Sequence, residues 1–244
     1  MKKYCSFSLI AVLMSILIAS PAFSQSSKEL WEKMIDAQGG RKVLEAIKDT
    51  TIQGNMELIQ MGMKGTLTLC QKEPNLMRMD MEVMGMMISQ GFDGEKAWMV
   101  NPQTGAVEEM PERAAQDIKK QALGNDSILN PEKYGITYEA KGKEKIQDKE
   151  YYVLEQSFAD GTKATLYLDP QTYLVFKTKM KTVDFQTGAE IMVDTLFEDY
   201  QKFEGIMTAR SMTILHDGAE FLKMAFSKIT YNTNPDESKF KMAK

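Results

Sequence analysis

The chain has 244 residues, of which 43% are hydrophobic and 26% charged, with a formal net charge of −4. An ordinary charged content over this length excludes a disordered chain and provides for one sizeable domain, or at most two small ones. The acidic balance argues against nucleic acid and against a broad basic membrane-binding face, and two cysteines, Cys5 and Cys70, exclude a disulfide framework.

Residues 1–24 read as a secretory signal. Lys2 and Lys3 start it, an apolar run covers 9–19, and Pro21 precedes the small-residue stretch Ala22-Phe23-Ser24, after which cleavage is expected. The run is too short for a comfortable membrane span. Cys5 precedes it, so the mature chain is not expected to be a lipoprotein. Cleavage leaves 28 of the 30 basic residues against 34 acidic ones, and Cys70 alone, which excludes an intrachain disulfide. An exported chain of this kind points to a bacterial periplasm. Residues 25–244 then form a single domain.

Leu30, Trp31, Met34 and Ile35 recur at helical spacing, with Ser27 as the N-cap and Gly39-Gly40 as the stop. Val43, Leu44 and Ile47 predict a second, shorter helix. From Thr51 the period becomes two. Ile52, Met56 and Leu58 alternate with Gln53, Asn55 and Glu57, and after a turn at 62–65 Leu67 and Leu69 begin the next strand. Pro74-Asn75 punctuates. Met77, Met79, Met81 and Val83 then point one way while Arg78, Asp80 and Glu82 point the other. Methionine is unbranched and polarizable, so a face built from it suits a flexible apolar guest; a methionine-rich core would give the same pattern. Met84, Met86 and Met87 continue the theme across the next turn. Strands over 86–90 and 96–100 flank Asp93-Gly94.

The segment 111–123 reads as a helix with Ala114, Ala115, Ile118 and Leu123 on one side, closed by Gly124-Asn125-Asp126. Strands are predicted at 135–140, 151–158, 163–168, 173–180, 191–200, 206–215 and 220–231, with turns at 147–149, Asp160-Gly161, Asp169-Pro170, Thr187-Gly188, Glu204-Gly205 and Asp217-Gly218. The expected fold is mainly β: an incomplete, open antiparallel barrel of roughly ten to twelve strands with a helical lid. Such a curled sheet has more interior than its own side chains fill, which predicts an apolar cavity.

Residues 67–112 carry the most specific signal: Lys72-x-Pro74-Asn75-Leu76 before the methionine strand, then Asp93-Gly94-x-x-x-Trp98 and Asn101-Pro102. This stretch resembles the periplasmic lipoprotein carrier LolA. Ala37-Gln38-Gly39-Gly40, Ile47-Lys48-Asp49, Asp199-Tyr200 with Gly205, and the closing segment 232–240 resemble exported LolA-like outer membrane lipoprotein-sorting proteins. The resemblance implies an open barrel whose helices lid an acyl-chain cavity, with no cofactor, metal, nucleotide or chemistry of its own. One position departs. Before this proline the carrier has an arginine tied to lid closure and cargo release, whereas this chain has Glu73, with Lys72 beside it.

Catalytic chemistry finds little support. His216, the one histidine, lies in a predicted hairpin turn without a nucleophile nearby. Cys70 ends a strand without a histidine partner. Glu108-Glu109 and Asp236-Glu237 fall in loops, and Gly39-Gly40 lacks the lysine of a phosphate loop. Met61-Gly62-Met63 and Met84-Gly85-Met86-Met87 allow a Cu(I)-binding reading, since thioether is a soft ligand. Trp31 and Trp98 lie on apolar stripes and read as core.

The leading expectation is a non-enzymatic periplasmic carrier of lipids or lipoprotein acyl chains. The cavity lining is expected from Met56, Leu58, Leu67, Leu69, Met77, Met79, Met81, Val83 and Trp98, and the lid from Leu30, Trp31, Met34 and Ile118. Envelope transport proteins are the further partners, and a monomer is expected. A LolA-like interaction or sensor protein with a filled core is the alternative.

Overall fold

In the computed structural model, the described residues are 25–101, 103–184 and 188–242. The expected signal, Pro102 of the Asn101-Pro102 motif and Thr187 of one predicted turn lie outside them.

Two helices come first. α1 (Ser27–Gln38) is capped by Ser26, not Ser27: the Ser26 hydroxyl accepts from the Glu29 backbone N–H at 3.2 Å, and Gly39 ends the helix at φ 135°. α2 (Arg41–Ala46) follows directly. The first meander then runs β1 (Asp49–Leu58), β2 (Met63–Lys72), β3 (Leu76–Val83), β4 (Met86–Phe92), β5 (Ala97–Val100) and β6 (Val107–Glu109). α3 (Glu112–Gln121) and α4 (Asn125–Leu129) lead to the second meander: β7 (Thr137–Ile146), β8 (Lys149–Ser157), β9 (Lys163–Leu168), β10 (Val175–Val183), β11 (Glu190–Phe203), β12 (Ile206–His216) and β13 (Ala219–Tyr231).

All thirteen strands form one antiparallel sheet, in the order β6-β5-β4-β3-β2-β1-β13-β12-β11-β10-β9-β8-β7. The two meanders join where β1 pairs with β13, with Met56 opposite Met224. β6 and β7 remain free edges, so the barrel is open. The strand number exceeds the expected ten to twelve because the short β6 adds an edge strand. α4 was not expected either: Gly124-Asn125-Asp126 reads as a stop, yet it opens a further turn of helix.

The helices pack against one face of the sheet, the inner face. Leu30 and Met34 of α1 sit on Leu154, Ala164, Leu166 and Leu168 of β8 and β9. Ala115 and Ile118 of α3 sit with Met77, Phe92 and Ala97 of β3 to β5. The outer face is partly strapped by the C-terminal segment. The buried Asp49 carboxylate accepts from the Thr233 and Asn234 backbone N–H groups at 2.7 and 2.9 Å, Arg78 donates to the Lys239 carbonyl at 3.1 Å, and Phe240 is fully buried.

Candidate functional site

Directly opposed residues in an antiparallel pair share a face. The register places Leu69 opposite Met79 and Leu67 opposite Met81, with Gly65 opposite both Met56 and Val83. Across the seam, Leu58, Met56 and Gly54 oppose Leu222, Met224 and Phe226. One continuous apolar surface results, spanning β3, β2, β1, β13 and β12.

The helices divide this surface. Met77 lies under α3, 1% exposed, packed with Phe92, Ala97, Ala115, Ile118 and Ala122. At the other end α1 covers β8 and β9. Between them lies a cluster in which Met56, Leu67, Val83, Phe226 and Ile229 are buried and Leu58, Met63, Leu69, Met81, Met212, Leu222 and Met224 are half-buried. Every member belongs to a strand or a strand end, and none to a helix. The half-buried side chains keep apolar area in contact with water, which favours a guest that would cover it.

α3 bridges the open side. Its Asp117 carboxylate accepts from the Thr182 hydroxyl of β10 at 3.0 Å, Lys120 pairs with Asp160 of the β8–β9 turn at 2.8 Å, and its last carbonyl, Gln121 O, accepts from the Gln71 side chain at 2.9 Å. The helix therefore touches both meanders.

Glu73 fixes the segment beyond. Its carboxylate accepts from the Asn125 backbone N–H at 2.6 Å and the Asp126 N–H at 3.4 Å, so it caps α4. Burial pushes its pKa up, against the opposing pull of those two N–H groups. Asp126 in turn accepts from Lys133 at 2.6 Å, and also from Tyr134 and Asn130, and its carboxyl is held down at about 2, chiefly by Lys133. A cavity of about 270 Å³ lies beside Glu73, bordered by Leu44, Ile47, Pro74, Asn125 and Leu129.

Two expectations are corrected. Trp98 does not share the face of Met77, Met79 and Met81. It opposes Gly91, which opposes Arg78, and so lies on the outer face. There its indole N–H donates to the Phe240 carbonyl at 2.8 Å, and the Arg78 guanidinium stands 5.5 Å from the ring centroid. The reason is register: Ala97, not Trp98, opposes Phe92 on the inner face. The larger described cavity, about 570 Å³, is also not an apolar chamber. Asn55, Glu57, Lys64, Glu198, Ser211, Thr213 and Lys223 border it together with Met56, Met212 and Met224. The polar residues alternate away from the apolar face, so this volume is an open groove on the sheet's back.

The expected lid set separates by region. Leu30, Trp31 and Met34 serve the β7–β9 end, where the Trp31 indole N–H donates to the Ile128 carbonyl at 2.9 Å, and Ile118 serves the β3–β5 end. Met212, Leu222, Met224 and Phe226 are apolar-face residues outside the expected lining. The alternation of Leu222, Met224 and Phe226 with Lys223 and Ala225 is the signal that marks them. His216 stacks on Phe221, centroids 4.0 Å apart, and Cys70 Sγ lies 3.6 Å from the Thr51 hydroxyl. Among the described residues no group of three or more His, Cys, Asp or Glu could hold a metal ion, and no helix is long and apolar enough to cross a membrane.

No protein-family model matches the chain, and no curated protein sequence matches it. Solved structures do match in shape. An outer membrane lipoprotein-sorting protein domain from Vibrio parahaemolyticus superposes with a TM-score of 0.59 at 15% identity, over 88% of this chain and 97% of that one. A DUF1329 family protein from Desulfovibrio piger gives 0.60 at 13% identity, over 88% and 97%. The chain is thus an open-barrel protein with the LolA-like fold. A LolA superfamily protein from Nitrosomonas europaea gives 0.58 at 13% identity, over 89% and 98% of the two chains, which extends that shape to nearly the whole of both.

Proposed function

We propose that this chain is an exported, periplasmic, non-enzymatic carrier of lipid or lipoprotein acyl chains, with the guest laid along the central apolar cluster. The observation that carries the reading is that this cluster is built by strands alone, with α3 covering the surface on the β3–β5 side, α1 covering it over β8 and β9, and α1, α2 and α4 closing one end at Ile206 and Tyr231. Met79, Met81, Leu69 and Leu58 would line the guest's path, continued by Leu222 and Met224. Each acyl methylene removed from water contributes about 0.8 kcal/mol, so ten supply roughly 8 kcal/mol before the costs of moving α3 and ordering the guest. The protein would act as a monomer, loaded and unloaded by envelope transport proteins.

The packed seam between α3 and Met77 favours a second reading, an envelope interaction or sensor protein whose interior stays filled. Native mass spectrometry on the protein purified from a bacterial envelope separates the two. Copurified phospholipid or lipoprotein is expected; a stoichiometric protein partner without lipid would favour the filled shell instead.

A further inference from the structure

Four large apolar side chains stand out into solvent: Met61 at 61% exposure, Met84 at 74%, Met86 at 55% and Met87 at 53%. All four fall on or beside two turns, the one joining β1 to β2 and the one joining β3 to β4. Those turns are neighbours. β2 pairs with β3, and the pairs Leu58 with Met63 and Val83 with Met86 close both hairpins at the same end of the sheet as the pair Gly65 with Val83. Residues 58–63 and 83–92 contain no charge, and Glu57, Lys64, Glu82 and Asp93 bound them.

Folding does not demand methionine here. Met84 has φ 53°, a left-handed turn position that Asn or Gly fills with less strain, and its side chain packs on almost nothing. The tips also continue the apolar face, since Leu58, Met63 and Val83 belong both to the central cluster and to the ends of these hairpins.

We propose that the two methionine tips dip into the surface of a lipid bilayer and set the open end of the apolar face against its acyl chains. This rests on the carrier reading and adds where the guest crosses. Two narrow, uncharged turns offer a protein partner neither a charge pattern nor a broad contact area, whereas the acyl boundary of a membrane receives unbranched apolar side chains of any orientation. An acidic chain gains nothing from anionic headgroups, so the attraction is apolar.

The test is flotation of the mature protein with phosphatidylcholine–phosphatidylethanolamine vesicles, for the parent and for Met61→Asn with Met84→Asn. Asparagine suits the turn at 84, so the fold is kept and a thermal melt checks it. The parent is expected to float, and to do so equally in high salt. The double variant should bind vesicles at least tenfold more weakly while binding a fluorescent fatty acid in solution as the parent does. A variant that floats as well as the parent, a parent that never floats, or a parent whose tips instead join two copies in sedimentation would each overturn the proposal. A parent that floats through its tips but takes no fatty acid supports the membrane contact and counts against the carrier reading.

Discussion

The Thr182 hydroxyl donates to the Asp117 carboxylate at 3.0 Å and so pins α3, which packs on the first meander, to β10 of the second. Replacing Thr182 with Val removes the donor while keeping the β-branched shape. The expected loss is about 1 kcal/mol of stability. Amide exchange in α3 should quicken more than exchange in β1 or β13, because the pin holds the helix and not the sheet. If guests pass beneath α3, uptake of a fluorescent fatty acid should also become faster. Unchanged exchange in α3 would show that the pin carries no load.

Met79 occupies the half-buried stretch of β3, opposite Leu69 and Gln90. Met79→Glu places a charge on the proposed path without entering a fully packed core. The fold should survive, as judged by circular dichroism, and fatty-acid binding should fall at least tenfold, since a buried unpaired carboxylate opposes an apolar guest. A folded variant with unaltered affinity would remove Met79 from the path.

Glu73 gives a pH signature. Burial raises its pKa above the ordinary 4.5, so its contribution to stability is full below that value and is lost as pH rises through the higher folded value. Glu73→Gln keeps an acceptor for the Asn125 and Asp126 N–H groups and carries no charge. Urea melts should show this variant matching the parent near pH 4 and exceeding it at neutral pH. Glu73→Ala loses the acceptor and should cost about 1 kcal/mol, the usual worth of a helix cap. Parallel pH profiles for the parent and the Gln variant would refute the assignment.

Gly91 lies beneath the Trp98 ring. A Cβ there would meet Trp98 Cζ2 at 2.7 Å and the Met77 carbonyl oxygen at 2.5 Å. Gly91→Ala should therefore destabilise by about 1–3 kcal/mol through overpacking. Trp98→Phe removes the donor to the Phe240 carbonyl and should loosen the C-terminal strap, seen as faster proteolysis near residue 240 while β1 and β13 stay protected.

Strand alternation made most of the architecture legible. The period-two pattern of Met77, Met79, Met81 and Val83 assigned the inner face of β3, and the glycine-bearing turns spaced the strands. Alternation within a strand marks Leu222, Met224 and Phe226 as one face but cannot say which strand lies beside which, so the seam that sets Met224 opposite Met56 is not legible in the sequence. Trp98 failed for a related reason. Between β4 and β5 the register depends on the turn at 93–96, where the Asp93 side chain accepts from the Glu95 and Lys96 N–H groups, and a one-residue difference exchanges the faces. Glu73 departs from the carrier's pattern in the sequence itself, but its two N–H partners come from α4, about fifty residues on.

The seam also sets an order in time. β1 (Asp49–Leu58) cannot acquire its second neighbour until β13 (Ala219–Tyr231), the last strand of the sheet in chain order, has been made available. A polypeptide emerging amino end first would carry its unzipped first half, methionine surface included, until β13 had emerged. Such a nascent chain needs shielding until then, and clipping it before residue 219 should leave two half-sheets that never knit.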